Sequence, residues 1–264
     1  MNVKDKIVIV TGAASGIGEG LVERFHAEGA AKIVCCDIDK AGLDAIASRV
    51  DGDPQICDVS DEAQVKAVIE YTEATYGRVD LYCANAGILP LGDLEISNEA
   101  WEKAWQVNTM SHVYAARAVV PGMIARGSGA FMCTASAAGL LGQIGSSAYS
   151  VTKHATVGFA EWLSITYGMR GIKVFALCPQ AVHSKMTAGF GSDGNSAAGD
   201  GIITAAQLAE SVIQAFESET FLILPHPEVA TYVERKATDH QRWLGGMQRL
   251  HGKMVAENGK VVVS

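Results

Sequence analysis

The sequence predicts an α/β fold: a doubly wound parallel sheet of about seven strands with helices on both faces, forming three layers. Short apolar runs alternate with longer amphipathic runs along the whole chain. Several short runs, such as IVIV at 7–10 and IVCC at 33–36, are apolar at every position, as expected of parallel strands covered on both faces. No linker, composition shift or longer repeat divides the 264 residues.

The short apolar runs give the seven strands in order. They are Ile7–Thr11, Lys32–Asp37, Gln55–Val59, Val79–Ala84, Ala130–Ala135, Lys173–Cys178 and Thr220–Leu224. The segments between them carry the three-to-four-residue apolar spacing of amphipathic helices. They are Gly16–Glu28, Ala41–Arg49, Glu62–Tyr76, Glu99–Ala125, Ala148–Gly168 and Ala205–Glu217. Strands and helices that alternate in this way form βαβ units and a parallel sheet.

Two segments depart from this rhythm. Residues 183–203 are rich in Gly, Ser, Asn and Asp without periodicity, which predicts a lid loop over the substrate. Residues 227–257 are helical in character and carry Trp243, Leu244, Met247 and Leu250 on one apolar stripe. We therefore expect one domain, 1–264, that includes a lid loop and a C-terminal helical extension.

Composition excludes several function classes. The net charge is −8 and the Lys and Arg residues form no cluster, so the electrostatic footprint of a nucleic-acid or anionic-membrane partner is missing. No run of 18 apolar residues predicts a membrane span, and no signal-peptide pattern precedes the first strand. The six cysteines lie in or at the end of predicted strands without metal-ligand spacing, which favours buried free thiols, no metal and a reducing, cytoplasmic environment.

The first strand ends in a glycine-rich turn, TGAASGIG at 11–18, that opens a helix. Glycine allows the sharp turn and the close approach of backbone to a pyrophosphate, and the helix N-terminus offers free N–H groups. The turn predicts a dinucleotide site. Its members are Gly12, Ser15, Gly16, Ile17 and Gly18.

Asp37 closes the second strand, 19 residues after Gly18. A carboxylate there accepts hydrogen bonds from an adenosine ribose diol and repels a 2′-phosphate. The glycine turn holds no Arg or Lys, and the cation nearest to Asp37 in sequence is Lys40. NAD is therefore the expected cofactor. The alternative is that Asp37 only caps the following turn.

Tyr149 and Lys153 are four residues apart on one predicted helix and so share a face. A Lys ammonium about 4 Å from a phenol would lower the phenol pKa by roughly three units. We therefore expect Tyr149 to act as general base for alcohol oxidation, or as general acid for ketone reduction.

An ordered set of residues resembles the short-chain dehydrogenase/reductase family over about residues 5 to 225. The set is the glycine turn, Asn85-Ala86-Gly87, Asn108, Ser136, Tyr149-x3-Lys153 and Pro179, with thirteen residues from Ser136 to Tyr149. The resemblance implies a Rossmann-type fold and hydride transfer between NAD(H) and a secondary alcohol or ketone. It implies a catalytic set of Asn108, Ser136, Tyr149 and Lys153.

Individual roles follow from the resemblance. Ser136 would hold the substrate oxygen, Lys153 would also bind the nicotinamide ribose, and Asn108 would hold a water that links Lys153 to solvent. The alternatives are that Ser136 is an ordinary strand-end residue and that Asn108 is a buried side chain bonded to backbone. The remaining cofactor contacts that the resemblance implies are Ile38, Asp58, Val59, Asn85, Ala86, Gly87, Pro179, Val182 and Ser184.

One departure concerns the residue after Pro179, where the family usually has glycine and this chain has Gln180. The expected substrate wall is otherwise apolar, which favours a hydrophobic alcohol or ketone, unless these side chains only pack the lid against the body. Its residues are Leu89, Leu91, Leu141, Ile144, Gln180, Met186 and Phe190. The nearby His183 is expected to be a solvated loop residue.

The helices Glu99–Ala125 and Ala148–Gly168 pair between subunits in the family, so we expect a homodimer or homotetramer. Two other functions stay open on this fold. One is a catalytically silent NAD-binding regulatory protein, which would have lost the catalytic set that this chain keeps. The other is a lyase or epimerase, whose larger C-terminal substrate domain is missing from this sequence.

Overall fold

A computed structural model describes residues 1–187 and 199–258. Its sheet has seven strands, all parallel, in the order β3-β2-β1-β4-β5-β6-β7. The strands are β1 Ile7–Thr11, β2 Lys32–Asp37, β3 Asp53–Ile56, β4 Leu81–Ala84, β5 Gly129–Thr134, β6 Ile172–Leu177 and β7 Leu222–Ile223. The predicted fold class, a doubly wound parallel sheet covered by helices, is confirmed.

The helices alternate with the strands and cover both faces of the sheet. They are α1 Gly16–Ala27, α2 Lys40–Val50, α3 Glu62–Tyr76, α4 Asn98–Trp105, α5 Ser111–Ala125, α6 Ala138–Leu141, α7 Ser147–Tyr167, α8 Ala205–Ser218, α9 Glu228–Thr238 and α10 His240–Asn258. Helices α9 and α10 occupy the stretch predicted as a C-terminal helical extension. Short 3-10 turns lie at Gly168–Arg170 and Lys185–Thr187.

Five strand predictions were wrong at their ends. The fourth strand begins at Leu81 instead of Val79, the fifth and sixth are each displaced by one residue, and the third and seventh differ most. The third strand runs over Asp53–Ile56 instead of Gln55–Val59. It ends at Ile56 because Ile56 pairs with Asp37, the last residue of β2. Beyond it, the Asp58 N–H donates to the Gln64 side chain instead of to a strand. The seventh strand keeps only two of its five predicted residues. It lies at the sheet edge, where only the last two residues of β6 oppose it.

The predicted helix Glu99–Ala125 contains a π-helical turn, Gln106–Met110, between α4 and α5. This turn has one more residue per hydrogen-bonded ring than an α-helix, and such turns are frequent at functional sites. Within it, the Asn108 carbonyl accepts a hydrogen bond from Thr156 Oγ1 of α7 at 2.7 Å. The interruption therefore coincides with the contact between this helix and α7.

Alternate residues of the central strands supply two hydrophobic cores, one on each face of the sheet. Ile9 and Phe131 point to the face covered by α3, α5 and α7. Val8 and Phe175 point to the other face, where Phe216 of α8 packs 4.6 Å from the Phe175 ring centroid. Burial on both faces explains why the strand sequences are continuously apolar.

All six cysteines are buried and unpaired, as predicted. Within 1–187 and 199–258, we find no helix with the length and apolarity that crossing a bilayer demands.

The strand order reverses between β1 and β4, which are neighbours in the sheet but are separated in sequence by two βα units. Connections from these two strands lead to opposite faces, so a crevice opens at their carboxyl ends. Gly12 follows β1 and Asn85 follows β4, and both are partly exposed there. The fold thus brings the two predicted cofactor turns together.

Candidate active site

A cleft of about 370 Å³ lies at the carboxyl ends of the strands, within the range of roughly 300–1,000 Å³ typical of small-molecule sites. Most of the predicted site residues line it. They are Gly12, Ser15, Gly16, Ile17, Asp37, Ile38, Asp58, Val59, Asn85, Ala86, Gly87, Leu89, Ser136, Leu141, Tyr149, Lys153, Pro179, Gln180, Val182, Ser184 and Met186.

Five predicted site residues are not among the lining residues. Gly18 is buried beneath the glycine turn, and Asn108 is buried in the π-helical turn. Leu91 is largely exposed and Ile144 is partly buried, and neither contributes to the cleft wall. Phe190 lies outside the described residues.

The glycine turn presents backbone amides to the cleft. Gly12 and Gly16 have φ of +68° and +57°, the left-handed region that favours glycine. Gly18 has a packing reason, since a Cβ there would lie 1.9 Å from the Gly12 carbonyl oxygen. Ser15 begins α1 without a side-chain cap, so the first amides of the helix keep their hydrogen-bonding capacity and the positive end of its dipole.

Thr11 ties the two turns together. Its Oγ1 accepts hydrogen bonds from the backbone N–H groups of Asn85 at 2.9 Å and Ala86 at 3.1 Å, and Asn85 Nδ2 donates to the Thr11 carbonyl at 2.9 Å. Asn85 Oδ1 is buried and has no hydrogen-bond partner within the described parts of the chain. It remains available to a donor on a bound molecule.

Asp37 holds the glycine turn from the side. Its Oδ2 accepts from the Ala14 N–H and its Oδ1 from the Asp39 N–H, both at 3.0 Å. The bond from the Asp39 N–H is the one expected if Asp37 caps the turn that follows β2. A carboxylate has about four acceptor positions, so the two bonds leave capacity for a ribose diol.

The far end of the cleft contains an ion pair that sequence reasoning missed. Lys103 Nζ of α4 lies 3.6 Å from Asp58 Oδ2 and donates to Ser60 Oγ at 3.2 Å. Hydrogen bonds from Ser60, with the charge of Lys103, hold the pKa of Asp58 below its ordinary value despite partial burial. No sequence pattern pairs residues 58 and 103, because only the fold brings α4 over the end of β3.

Lys153 is buried inside the cleft wall, with 3% of its surface exposed. Its Nζ donates a 2.8 Å hydrogen bond to the Thr134 carbonyl at the end of β5 and lies 5.6 Å from the centroid of the Tyr149 ring. Burial lowers the pKa of Lys153 to about 8, opposed by weaker interactions with Cys178 and Cys133.

The expectation that Lys153 lowers the pKa of Tyr149 was wrong for the protein alone. Burial raises the pKa of Tyr149 above its ordinary value, and a hydrogen-bonding interaction with the Ser136 side chain only partly opposes this. The physical reason is burial, which disfavours both the Tyr149 phenolate and the Lys153 ammonium that would stabilise it.

Ser136 follows β5 and is almost completely buried, at 8% exposure. Its Oγ accepts from the Ala138 N–H at 3.1 Å and donates weakly to the Pro179 carbonyl at 3.4 Å. The Ala137 N–H also donates to that carbonyl, at 2.8 Å. The residues after β5 and β6 are thereby held together next to Tyr149.

The side chain of Asn108 is buried and hydrogen-bonded to backbone, which is the alternative to a water-binding role. Its Oδ1 accepts from the Ile88 N–H at 2.8 Å, and its Nδ2 donates to the Ile88 carbonyl at 2.9 Å and to Thr152 Oγ1 at 3.2 Å. These contacts fix the turn after β4 against α7. The side chain acts on the cleft through that turn.

Of the predicted substrate residues, Leu89, Leu141, Gln180 and Met186 line the cleft. Sequence reasoning missed Gln143 and Thr187, which also line the cleft. The position of Gln143 between Ser136 and Tyr149 could have indicated it. His183 is exposed and is not part of the cleft wall, in agreement with the expected solvated loop histidine.

The described residues fit a dinucleotide. Open helix amides suit a pyrophosphate, Asp37 has spare acceptor capacity for a diol, and the orphan Asn85 Oδ1 offers one more acceptor. The residues that would hold it are those of the glycine turn, Asp37, Asn85 and Lys153.

Comparison with known proteins gives one consistent result. A family model described as "short chain dehydrogenase" matches residues 6–195. A 3-oxoacyl-acyl-carrier-protein reductase of Thermotoga maritima is 32% identical over 193 residues, 71% of this chain and 78% of that protein. A 1-deoxy-11-beta-hydroxypentalenate dehydrogenase of Streptomyces exfoliatus is 32% identical over 237 residues, 86% of each.

A solved structure agrees in fold as well. The short-chain dehydrogenase/reductase of Burkholderia phymatum in complex with NAD superposes with a TM-score of 0.82. It is 26% identical to this chain, and the match covers 91% of this chain and 96% of that one.

Proposed function

The chain belongs to the short-chain dehydrogenase/reductase family, and we propose that it transfers a hydride between NAD(H) and a hydrophobic secondary alcohol or ketone. The observation that carries this proposal is one continuous cleft. Its one end offers the glycine turn and Asp37, and its other end offers Ser136, Tyr149 and Lys153 beside an apolar wall.

The substrate class is argued from the cleft and from the relatives. The lysines among the described lining residues are Lys103, paired with Asp58, and Lys153, bonded to Thr134. The cleft that contains Tyr149 is also lined by the apolar residues Leu89, Leu141 and Met186. The two relatives are named as a dehydrogenase of a hydroxylated carbon skeleton and as a reductase of an oxoacyl group, which supports alcohol and ketone chemistry.

In alcohol oxidation, the carbinol C–H bond breaks as a hydride and the O–H bond breaks as a proton, leaving a C=O bond. NAD⁺, when bound, supplies the hydride acceptor. The Tyr149–Lys153 pair, which has already lost one proton, takes the hydroxyl proton through Tyr149, and Ser136 donates a hydrogen bond to the substrate oxygen, where negative charge develops. Ketone reduction reverses each transfer, with Tyr149 as the proton donor.

The protonation of the Tyr149–Lys153 pair sets the direction that each pH favours. Below a pH of about 8 both groups hold their protons, which suits the general acid of ketone reduction. Loss of one proton from the pair near pH 8 leaves it able to accept the substrate proton in oxidation. The same proton of the Tyr149–Lys153 pair is therefore donated in ketone reduction and regained in alcohol oxidation.

The cofactor is proposed to be NAD because the carboxylate of Asp37 lines the cleft beside the glycine turn with acceptor capacity left for a ribose diol, and the Burkholderia structure was solved with NAD. We also propose that 1–264 act as one domain, with 183–203 as a substrate lid, of which 188–198 lie outside the described residues, and 227–257 as its helical extension. The six buried free thiols support a reducing compartment, for which we propose the cytoplasm.

Replacing Tyr149 by phenylalanine keeps the ring and removes the proton-transfer group. We expect Tyr149→Phe to lower kcat by about 10²–10⁴-fold while NAD affinity is kept. Lys153→Met should lower kcat and also weaken NAD binding, because the resemblance gives Lys153 a ribose contact. Steady-state kinetics, NAD titration and melting temperature on both variants provide the check. A folded Tyr149→Phe enzyme that keeps a tenth of its activity would contradict the mechanism.

The preference for NAD over NADP should be at least about tenfold in kcat/KM, or about 1.4 kcal/mol. Asp37→Ala removes the negative charge that repels a 2′-phosphate, so it should narrow the gap mainly by improving the use of NADP. Kinetics with both cofactors on both proteins measure this. If kcat/KM falls equally with both cofactors in Asp37→Ala, Asp37 only supports the glycine turn through Ala14, and its assignment to the ribose is wrong.

Self-association is proposed to use the outer face of α7 and the turn that follows. Val151, Trp162, Ile165 and Met169 are exposed there by 50, 53, 83 and 99%, an unusually apolar set for a solvated helix face. Its occupant would be the same face of a second copy.

Light scattering should give two or four times the subunit mass of 27.8 kDa. Ile165→Glu should shift the mass toward one subunit, because it buries a charge in the contact. Ile56→Glu, at an exposed residue of the edge strand β3, is the matched control and should leave the mass unchanged. A wild-type mass near one subunit at micromolar concentration refutes the assembly.

A further inference from the structure

Gln180 lines the cleft, at the position after Pro179 where the resembled family has glycine. We propose that Gln180 determines specificity: its Oε1 accepts a hydrogen bond from a second hydroxyl group of the substrate. The inference rests on the proposed function and narrows its substrate class to hydrophobic alcohols that carry another hydroxyl.

The orientation of the amide is fixed by a carboxylate. Gln180 Nε2 donates to Asp200 Oδ2 at 2.8 Å, and the Tyr232 hydroxyl donates to Asp200 Oδ1 at 2.9 Å. An ionised carboxylate only accepts hydrogen bonds, so the amide must turn its NH₂ group toward Asp200. The hydrogen bond to Asp200 raises the pKa of Tyr232, which keeps its hydroxyl protonated as the second donor.

The backbone of Gln180 is fixed as well. Its N–H donates to Nδ1 of the buried His226 at 3.2 Å. The carbonyl of the preceding Pro179 accepts from the Ala137 N–H at 2.8 Å, next to Ser136. The amide therefore keeps a constant position relative to the residues that hold the reacting oxygen.

This arrangement leaves the amide oxygen without a partner. Gln180 Oε1 is buried and makes no hydrogen bond within 1–187 and 199–258. An unpaired buried acceptor destabilises the protein, and a suitably placed donor on the substrate removes that cost. A hydroxyl group can supply that donor, whereas an ether oxygen, a ketone oxygen or a carboxylate cannot.

A purely structural role makes a different prediction. If Gln180 only tethers Asp200 and α9 to the body, its loss lowers stability and affects all substrates equally. If Oε1 accepts a hydrogen bond from a substrate hydroxyl, loss of the Gln180 side chain removes the discrimination between substrates with and without that hydroxyl. Sites built to bond a substrate hydroxyl discriminate strongly, since an analogue without the hydroxyl leaves the polar group unpaired.

The test uses a matched panel: cyclohexanol, the 1,2-, 1,3- and 1,4-cyclohexanediols, and the monomethyl ether of each diol, all with NAD⁺. For the wild-type protein we expect kcat/KM for at least one diol to exceed that for its monomethyl ether by about tenfold or more. Gln180→Met has a similar side-chain length without the amide, and it should bring this ratio to within about twofold.

Two further variants separate specificity from stability. Asp200→Asn can donate to Gln180 Oε1 and so frees the amide to turn over, which should also lower the diol-to-ether ratio. Gln214→Met makes the same chemical change on the exposed side of α8 and should leave the ratio unchanged. Melting temperature and NAD affinity, measured on all variants, identify those whose fold or cofactor site has changed.

The outcomes distinguish this inference from the proposed function. If the wild-type protein binds NAD but oxidises none of the panel and reduces none of the corresponding ketones, the proposed function fails and this inference fails with it. If it oxidises the alcohols without preferring any diol over its ether, only the inference is overturned. The same holds if the preference is equal in the wild type and Gln180→Met.

Discussion

Lys153 places an amine inside the protein, with Thr134 as its hydrogen-bond acceptor, and a charge is expensive to bury without such a partner. Three features accommodate it. Helix α7 docks closely on the end of β5. A side chain at Gly139 would bring its Cβ within 2.4 Å of the Lys153 carbonyl oxygen, so α6 can lie against α7 only with glycine there. Gly87 lies beside the amine, where a Cβ would be in van der Waals contact with Lys153 Nζ at 3.4 Å. The fold thus holds the readily titrated amine of Lys153 beside the phenol of Tyr149. An apolar side chain in place of Lys153 would make the protein more stable.

The other end of the cleft depends on backbone rather than on charge. Thr11, Asn85 and Asp37 bind the turns after β1, β4 and β2 to one another, so the amides at the start of α1 keep a fixed direction. The reversal of strand order makes this possible, because it opens the crevice between the two turns. A cofactor that spans the cleft would reach the pair Tyr149–Lys153 from that fixed end. Hydride transfer requires such positioning, since a misplacement of about 1 Å can cost 10²-fold in rate.

Much of this was predictable from the sequence, because apolar periodicity and glycine placement are local signals. The strands β1 and β2, the glycine turn, and the shared face of Tyr149 and Lys153 all follow from residues near one another in sequence. What escaped prediction depends on distant partners. The third strand ends early because β2 does, Lys103 meets Asp58 only in the folded chain, and Gln180 faces Asp200 across 20 residues. The direction of the Tyr149 pKa shift was mispredicted for the same reason: spacing places Lys153 near Tyr149, but the burial that raises the phenol pKa and lowers the amine pKa depends on the whole fold.

The most direct measurement is the titration of Lys153 itself, followed by NMR on protein labelled with ¹³Cε-lysine and assigned with Lys153→Met. We expect a pKa of about 8, below the ordinary 10.5, because the ammonium is buried. Since the pair loses its first proton there, alcohol oxidation should rise with pH through the same value and ketone reduction should fall. A Lys153 signal that titrates at or above 10, or rates in both directions that stay constant from pH 7 to 9, would contradict the account.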